Sequence, residues 1–211
     1  GPLSGRMMAG KNGKSTATRK SPLELLFASS ARAAVLRLFM LDPTRAYYQR
    51  QIESATGLAI RAVQRELERL SRMALLYRRT EGNRAYYQVD IHFPLFPELR
   101  GMVLKTSDEV GRLRGRLALD ASVRLAFLLE EENRLLVVTA GGKRPEIESD
   151  LGPFELEVME IDDFIQALPG HSPSLDRYLA EGVDILGRRE EMVWRRIEAA
   201  GYEVKKGKGV V

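Results

Sequence analysis

Apolar side chains recur at three- and four-residue spacings through much of the front of this chain. Behind it they run in continuous or alternating stretches, so helices dominate the first half and strands enter in the second. Leu23 to Met40 is predicted helical, with Val35, Leu36, Leu38 and Phe39 on its apolar side, Ser29 or Ser30 as cap and Asp42-Pro43 as stop. Arg45-Ala46-Tyr47 suits a short strand, and Tyr48-Gln49 opens another helix that ends at Gly57, where a sharp turn favours positive φ. Ile60, Val63, Leu67 and Leu70 then share one face, while Arg61, Gln64, Arg65, Glu68 and Arg72 lie opposite. Two β-favouring runs flank Gly82-Asn83, a turn pair, and predict a hairpin.

Pro94 and Pro97 punctuate the exit, and from Glu98 to Leu117 the pattern is helical again. Leu99, Val103, Thr106, Val110, Leu113 and Leu117 fall four, three, four, three and four apart, a heptad-like seam broken by one threonine. Such a seam pairs two copies of the chain or packs on the protein's own second half. Beyond Leu119, strands are predicted at Val123–Leu129, Leu135–Thr139 and Phe154–Met159. Helices follow from Asp162, from Ser172-Pro173 to Gly182, and from Arg188 to Ala200, with the short apolar run Val183–Leu186 between the last two. Strands mixed with helices make this half a small α+β or α/β domain.

Two helices, a tight turn and a basic hairpin are the layout of a winged helix-turn-helix, which sets one helix in the major groove and lays the hairpin along the backbone. In that layout Arg61, Gln64 and Arg65 would read bases, since arginine pairs with guanine and glutamine with adenine. Tyr48, Gln49, Arg78, Arg79, Asn83 and Arg84 would hold the backbone. The bland reading of the same helix face is a solvated surface with pairs such as Arg65–Glu68. Tyr77, Tyr86 and Tyr87 suit cross-strand packing.

Residues 26 to 105 resemble prokaryotic regulators in which a winged helix-turn-helix is fused to a minimal-nucleotidyltransferase-like domain. The resemblance is carried by Ala31-Arg32-Ala33-Ala34-Val35-Leu36-Arg37-Leu38-Phe39, Gly57-Leu58, Val63-Gln64-Arg65-Glu66-Leu67, Glu81-Gly82-Asn83-Arg84-Ala85-Tyr86-Tyr87 and Pro94-Leu95-Phe96-Pro97-Glu98-Leu99. The second half matches only loosely. The resemblance implies an α+β chain. Residues 1–20 form a tag remnant and basic arm, 21–93 the winged helix-turn-helix and 94–118 a linker or dimerisation helix. Residues 119–203 form a degenerate nucleotidyltransferase-like domain and 204–211 a loose basic tail. The family usually places a capping serine where Ala59 stands, so either the helix start frays or Thr56 compensates.

Charge sharpens this division. Residues 1–120 hold 21 Lys/Arg against 11 Asp/Glu, and residues 121–211 hold 12 against 18, so a polyanion would meet the front. Lys11, Lys14, Arg19 and Lys20 suit a disordered solubilising tail or a DNA-touching arm, and Gly1-Pro2-Leu3 has the look of a protease scar. The chain has no cysteine, and His92 and His171 are isolated, so no metal centre is expected. No apolar run approaches the ~18 residues of a membrane span, and no secretory signal is visible, so no membrane contact and a cytoplasmic location are expected.

Family catalysis needs a Gly-Ser turn after the first strand, an Asp-x-Asp pair opening the second and a third carboxylate on a later strand, converging on magnesium. Here Glu130-Glu131-Glu132-Asn133-Arg134 connects those strands, and the pair is matched at best by Glu132-Asn133-Arg134. Glu155 and Glu157 stand where the third carboxylate belongs, or simply face solvent. Gly141-Gly142-Lys143-Arg144 lacks a phosphate-loop spacing. The expectation is a non-catalytic domain with no cofactor, serving effector sensing, dimerisation or partner docking. The whole is a transcriptional regulator binding double-stranded DNA as a homodimer through Leu99, Val103, Val110, Leu113 and Leu117, with an unidentified small-molecule or protein effector. The alternatives are a nucleotidyltransferase modifying a partner and an antitoxin-like protein-binding module.

Overall fold

The computed structural model describes residues 19–141, 144–145 and 154–211. These form a mixed α+β protein with two sheets. Lys11 and Lys14 of the basic arm, and Gly142 and Lys143 of the glycine loop, lie outside the described residues.

The first core gathers around α2 (Ser30–Leu41), whose Val35, Leu36, Leu38, Phe39 and Met40 are all buried. The single helix predicted over Leu23–Met40 is in fact two. Ala28 ends α1 (Pro22–Phe27) with φ +52°, and Ser29 restarts the chain by accepting a hydrogen bond from the Arg32 amide at 3.1 Å. Next come β1 (Tyr47–Tyr48), α3 (Gln49–Thr56), α4 (Ile60–Arg72), β2 (Leu76–Glu81) and β3 (Arg84–Val89). The sheet order is β1-β3-β2, antiparallel throughout, with Tyr47 opposite Tyr87 and Glu81 opposite Arg84. The short strand thus forms two residues later than its predicted start.

The helix predicted from Glu98 to Leu117 also breaks, into α5 (Phe96–Thr106) and α6 (Glu109–Ala118). Ser107 is extended and its hydroxyl donates to the Val103 carbonyl, while Asp108 caps α6 by accepting from the Gly111 amide at 2.7 Å. The seam is therefore spent inside one chain. Val103 is buried in the first core, and Leu113 and Leu117 are buried against the second sheet. Leu99 and Val110 are half-buried against those same two clusters. The expected dimerisation stripe is corrected to an internal one, because the bend at Ser107 sends its two ends into different cores. Gly115 lets the helices touch, since a Cβ there would stand 2.7 Å from Leu104 and 3.3 Å from Leu41.

The second sheet has the order β6-β5-β4-β7-β8, built from β4 (Val123–Leu129), β5 (Arg134–Thr139), β6 (Glu155–Glu160), β7 (Val183–Asp184) and β8 (Lys205–Lys206). β4 and β5 pair antiparallel across a one-turn 3-10 helix at Glu130–Glu132, and β5 and β6 pair parallel. One face carries α7 (Ile161–Ala167), α8 (Pro173–Ala180) and α9 (Met192–Ala199), which enclose Leu125, Phe127, Leu136 and Val138. The other face packs Ala126, Leu128, Leu135 and Val137 under α6. Covered on both sides, β4 and β5 are apolar at nearly every position rather than at alternate ones.

Two expectations at the end of the chain are corrected. The final helix begins at Met192, not Arg188, because Arg188 and Arg189 turn inward. Arg188 donates to the carbonyls of Val123 at 2.6 Å and Ala118 at 3.0 Å, and Arg189 pairs with buried Asp184 at 2.8 Å. The expected loose tail is docked instead: β8 pairs with β7, Val204 and Val210 are buried, and Arg114 donates to the Gly209 carbonyl at 2.7 Å. The β7 edge supplies the unpaired backbone groups that such a segment satisfies. Among the described residues, no helix is long and apolar enough to cross a membrane.

Candidate nucleic-acid interface

Gly57 joins α3 to α4 with φ +71°, and its amide donates to the Glu53 carbonyl at 2.8 Å. Nothing lies within 4 Å of a Cβ built there, so backbone conformation rather than crowding favours glycine. Thr56 does not replace the missing cap of α4. Its hydroxyl donates to the Ile52 carbonyl at 2.6 Å and accepts from the Leu58 amide at 3.3 Å, while Ala59 offers α4 no side-chain bond.

Val63, Leu67 and Leu70 anchor α4 in the first core. Two features of this helix depart from its apolar pattern. Ile60, assigned by spacing to the buried face, is 51% exposed, because the first turn projects beyond the core. Glu66, which no pattern marked, is buried. It accepts from Arg32 Nε at 3.1 Å and Nη2 at 3.5 Å and has Arg69 at 3.8 Å, tying α4 to α2. The only sequence signal for it was an acid flanked by Val63, Leu67 and Leu70 in the helical period.

Arg61, Gln64 and Arg65 are exposed, and none makes a hydrogen bond or ion pair with a described residue. The solvated pairing weighed for Arg65 does not form, since Glu68 is held by Arg72 at 2.8 Å. These three side chains therefore stand together on the outer face with their donors uncommitted.

The hairpin stands beside α4. Gly82 takes φ +58° at its tip and Asn83 is exposed next to it. Arg84 lies over the Tyr48 ring at 4.4 Å, and Tyr48 meets Tyr86 edge-on at 5.6 Å, so the base of α3 and the hairpin form one unit. Arg79 is paired with Glu81 at 3.1 Å, whereas exposed Arg78 has no described partner. Between α4 and the hairpin runs an open recess of about 580 Å³ lined by Gln49, Gln64, Leu67, Glu68, Ser71, Arg72, Arg78 and Tyr87. Gln49, Gln64 and Arg78 give this recess donors, while Glu68 in its wall is paired with Arg72; exposed donors of this kind suit a polyanion.

The second half presents a different surface. Arg134 donates to Glu157, lies 3.8 Å from Glu155 and 3.9 Å from Glu132, and sits over the Tyr178 ring at 5.7 Å. The guanidinium thus lies among Glu132, Glu155 and Glu157, the acids weighed for a cation site, and Arg177 also pairs with Glu132. Among the described residues, no group of three or more His, Cys, Asp and Glu is arranged to hold a metal ion. Gly141 is tied down through its amide, which donates to Glu160 at 2.7 Å, and Arg144 donates to the Leu156 carbonyl at 3.1 Å. His171 Nδ1 lies 3.0 Å from the Tyr202 hydroxyl, which donates to Asp176. Burial first, and this carboxylate second, push the Tyr202 hydroxyl up to about 12. His92 is exposed. No family model matches the chain, and neither a curated protein nor a solved structure is significantly similar to it.

Proposed function

We propose that this chain is a sequence-specific transcriptional regulator of double-stranded DNA. In this reading residues 21–93 are a winged helix-turn-helix, α4 enters the major groove and the β2–β3 hairpin is the wing. The observation that carries it is the outer face of α4, where Arg61, Gln64 and Arg65 are exposed and uncommitted while the back of the helix is fixed in a core. The basic front and acidic back of the chain support the same polarity. Tyr48, Gln49, Arg78, Arg79, Asn83 and Arg84 would hold the backbone, Arg84 braced by its place over Tyr48.

The second domain is proposed as a degenerate nucleotidyltransferase-like fold without catalysis. Arg134 among Glu132, Glu155 and Glu157 favours that over an enzyme, because a tethered guanidinium opposes a divalent cation at the same carboxylates. Pairing of two copies on two half-sites belongs to the proposal, through a surface other than the internal seam.

The test is competitive binding to a duplex selected by the chain from a randomised pool, against a scrambled duplex. Arg65→Ala is expected to bring the preferred duplex down to the affinity of the scrambled one. Arg84→Ala weakens both alike and lowers the salt slope by roughly one unit. An Arg65→Ala variant with the wild-type preference would refute the base-reading role.

A further inference from the structure

Ile60 stands in water among the cations of α4. It is the first residue of the helix, 51% exposed, and it lies apart from the packed cluster that Ala55 and Leu58 help to close. With 3.6 residues per turn, Ile60 sits one turn below Gln64 and beside Arg61. Ile60, Gln64, Glu68, Arg61 and Arg65 cover one continuous arc of about 140°, and Val63, Glu66, Leu67 and Leu70 fill the buried arc. An isolated exposed isoleucine is ordinary. This one is set apart by its setting, since Arg61 and Arg65 beside it are exposed with no carboxylate partner among the described residues. A surface of that charge suits a polyanion, and the apolar group that a DNA major groove offers is the 5-methyl of thymine.

We propose that Ile60 is a specificity residue that packs on a thymine methyl, beside the base pair read by Gln64 or Arg61. The proposal rests on the DNA-binding reading above and names one element of the site that the chain prefers.

The test uses the full chain and its pool-selected duplex. Each thymine is replaced singly by deoxyuridine, which keeps every hydrogen-bonding group and removes only the methyl. Wild type is expected to bind about fourfold more weakly at one position per half-site, the effect of losing burial of about one methyl group. Ile60→Ala is expected to bind both duplexes alike at that position and to keep its other preferences. The substitution leaves an exposed site with the best helix former, so folding is not at risk.

An Ile60→Ala variant that keeps the wild-type penalty, or a wild type indifferent to every replacement, overturns the proposal. A variant that changes the sedimentation of the free chain also overturns it, by placing a second copy against Ile60. A pool that enriches no sequence removes the DNA-binding reading itself, and the inference with it. That failure is distinct from an enriched site that ignores the methyl.

Discussion

Glu66 ties α4 to α2 through Arg32, and replacing it isolates that tie. Glu66→Gln keeps the shape and one acceptor oxygen but removes the charge that receives Arg32 Nε at 3.1 Å and Nη2 at 3.5 Å. A hydrogen bond to a charged group contributes about 1.5–3 kcal/mol, and losing one partner of a fully buried pair costs about 3–5 kcal/mol. The Arg32 side chain is 22% exposed against 8% for Glu66, which moderates both figures. The expected loss is about 1.5 kcal/mol, with about 1 kcal/mol of coupling in a double-mutant cycle with Arg32→Met. Urea unfolding followed by far-ultraviolet circular dichroism would show the midpoint falling by about 0.5–1.5 M. Trp194, the sole tryptophan, sits in the second core and reports on that half of the chain. Arg100 donates to the carbonyls of Met40 and Gly115 and so joins the first core to α6, which carries part of the shift to the tryptophan signal. The preference for one duplex over another should survive, because Arg61, Gln64 and Arg65 are untouched. A coupling energy within about 0.3 kcal/mol of zero would refute the reasoning.

Leu113→Ala should cost about 2–5 kcal/mol in urea unfolding and leave the sedimentation profile unchanged, because Leu113 is fully buried within one chain. A variant that keeps its stability but changes its association would restore the dimer seam. Tyr202 titrates near 12 when folded against about 10 when unfolded, so the fold favours its neutral form. Its contribution is complete below pH 10 and is lost as pH rises from about 10 to about 12. Tyr202→Phe should reduce that alkaline fall in denaturation midpoint, leaving the share of buried Tyr47, also raised to about 12.

Local pattern made α4, Gly57, the hairpin and the strands β4 to β6 legible, because each is set by residues close in sequence. The seam misled for a physical reason: a helical period states that a face is buried but not what covers it. The backbone break at Ser107 and Asp108, not the apolar spacing, assigns that face to two cores. Ala28 at φ +52° is likewise invisible to composition, since glycine or asparagine, not alanine, is the residue usually found there. Ile60 followed the spacing yet lies beyond the core's reach, and Glu66 broke the apolar pattern and is buried, because Arg32 from α2 neutralises it. The tail hid its role behind its lysines, which point outward while Val204 and Val210 hold it down.

If the outer face of α4 enters a duplex, a probe attached to it must meet the bases. Because the chain has no cysteine, Gln64→Cys introduces a single thiol for a photo-crosslinker, and Arg195→Cys, on the exposed face of α9, provides the control. Irradiated with the pool-selected duplex, the position 64 derivative is expected to link to bases at fixed positions in the site, and the position 195 derivative to link to none. Equal yields from both, or no link from position 64 while the protein remains bound, would contradict the account.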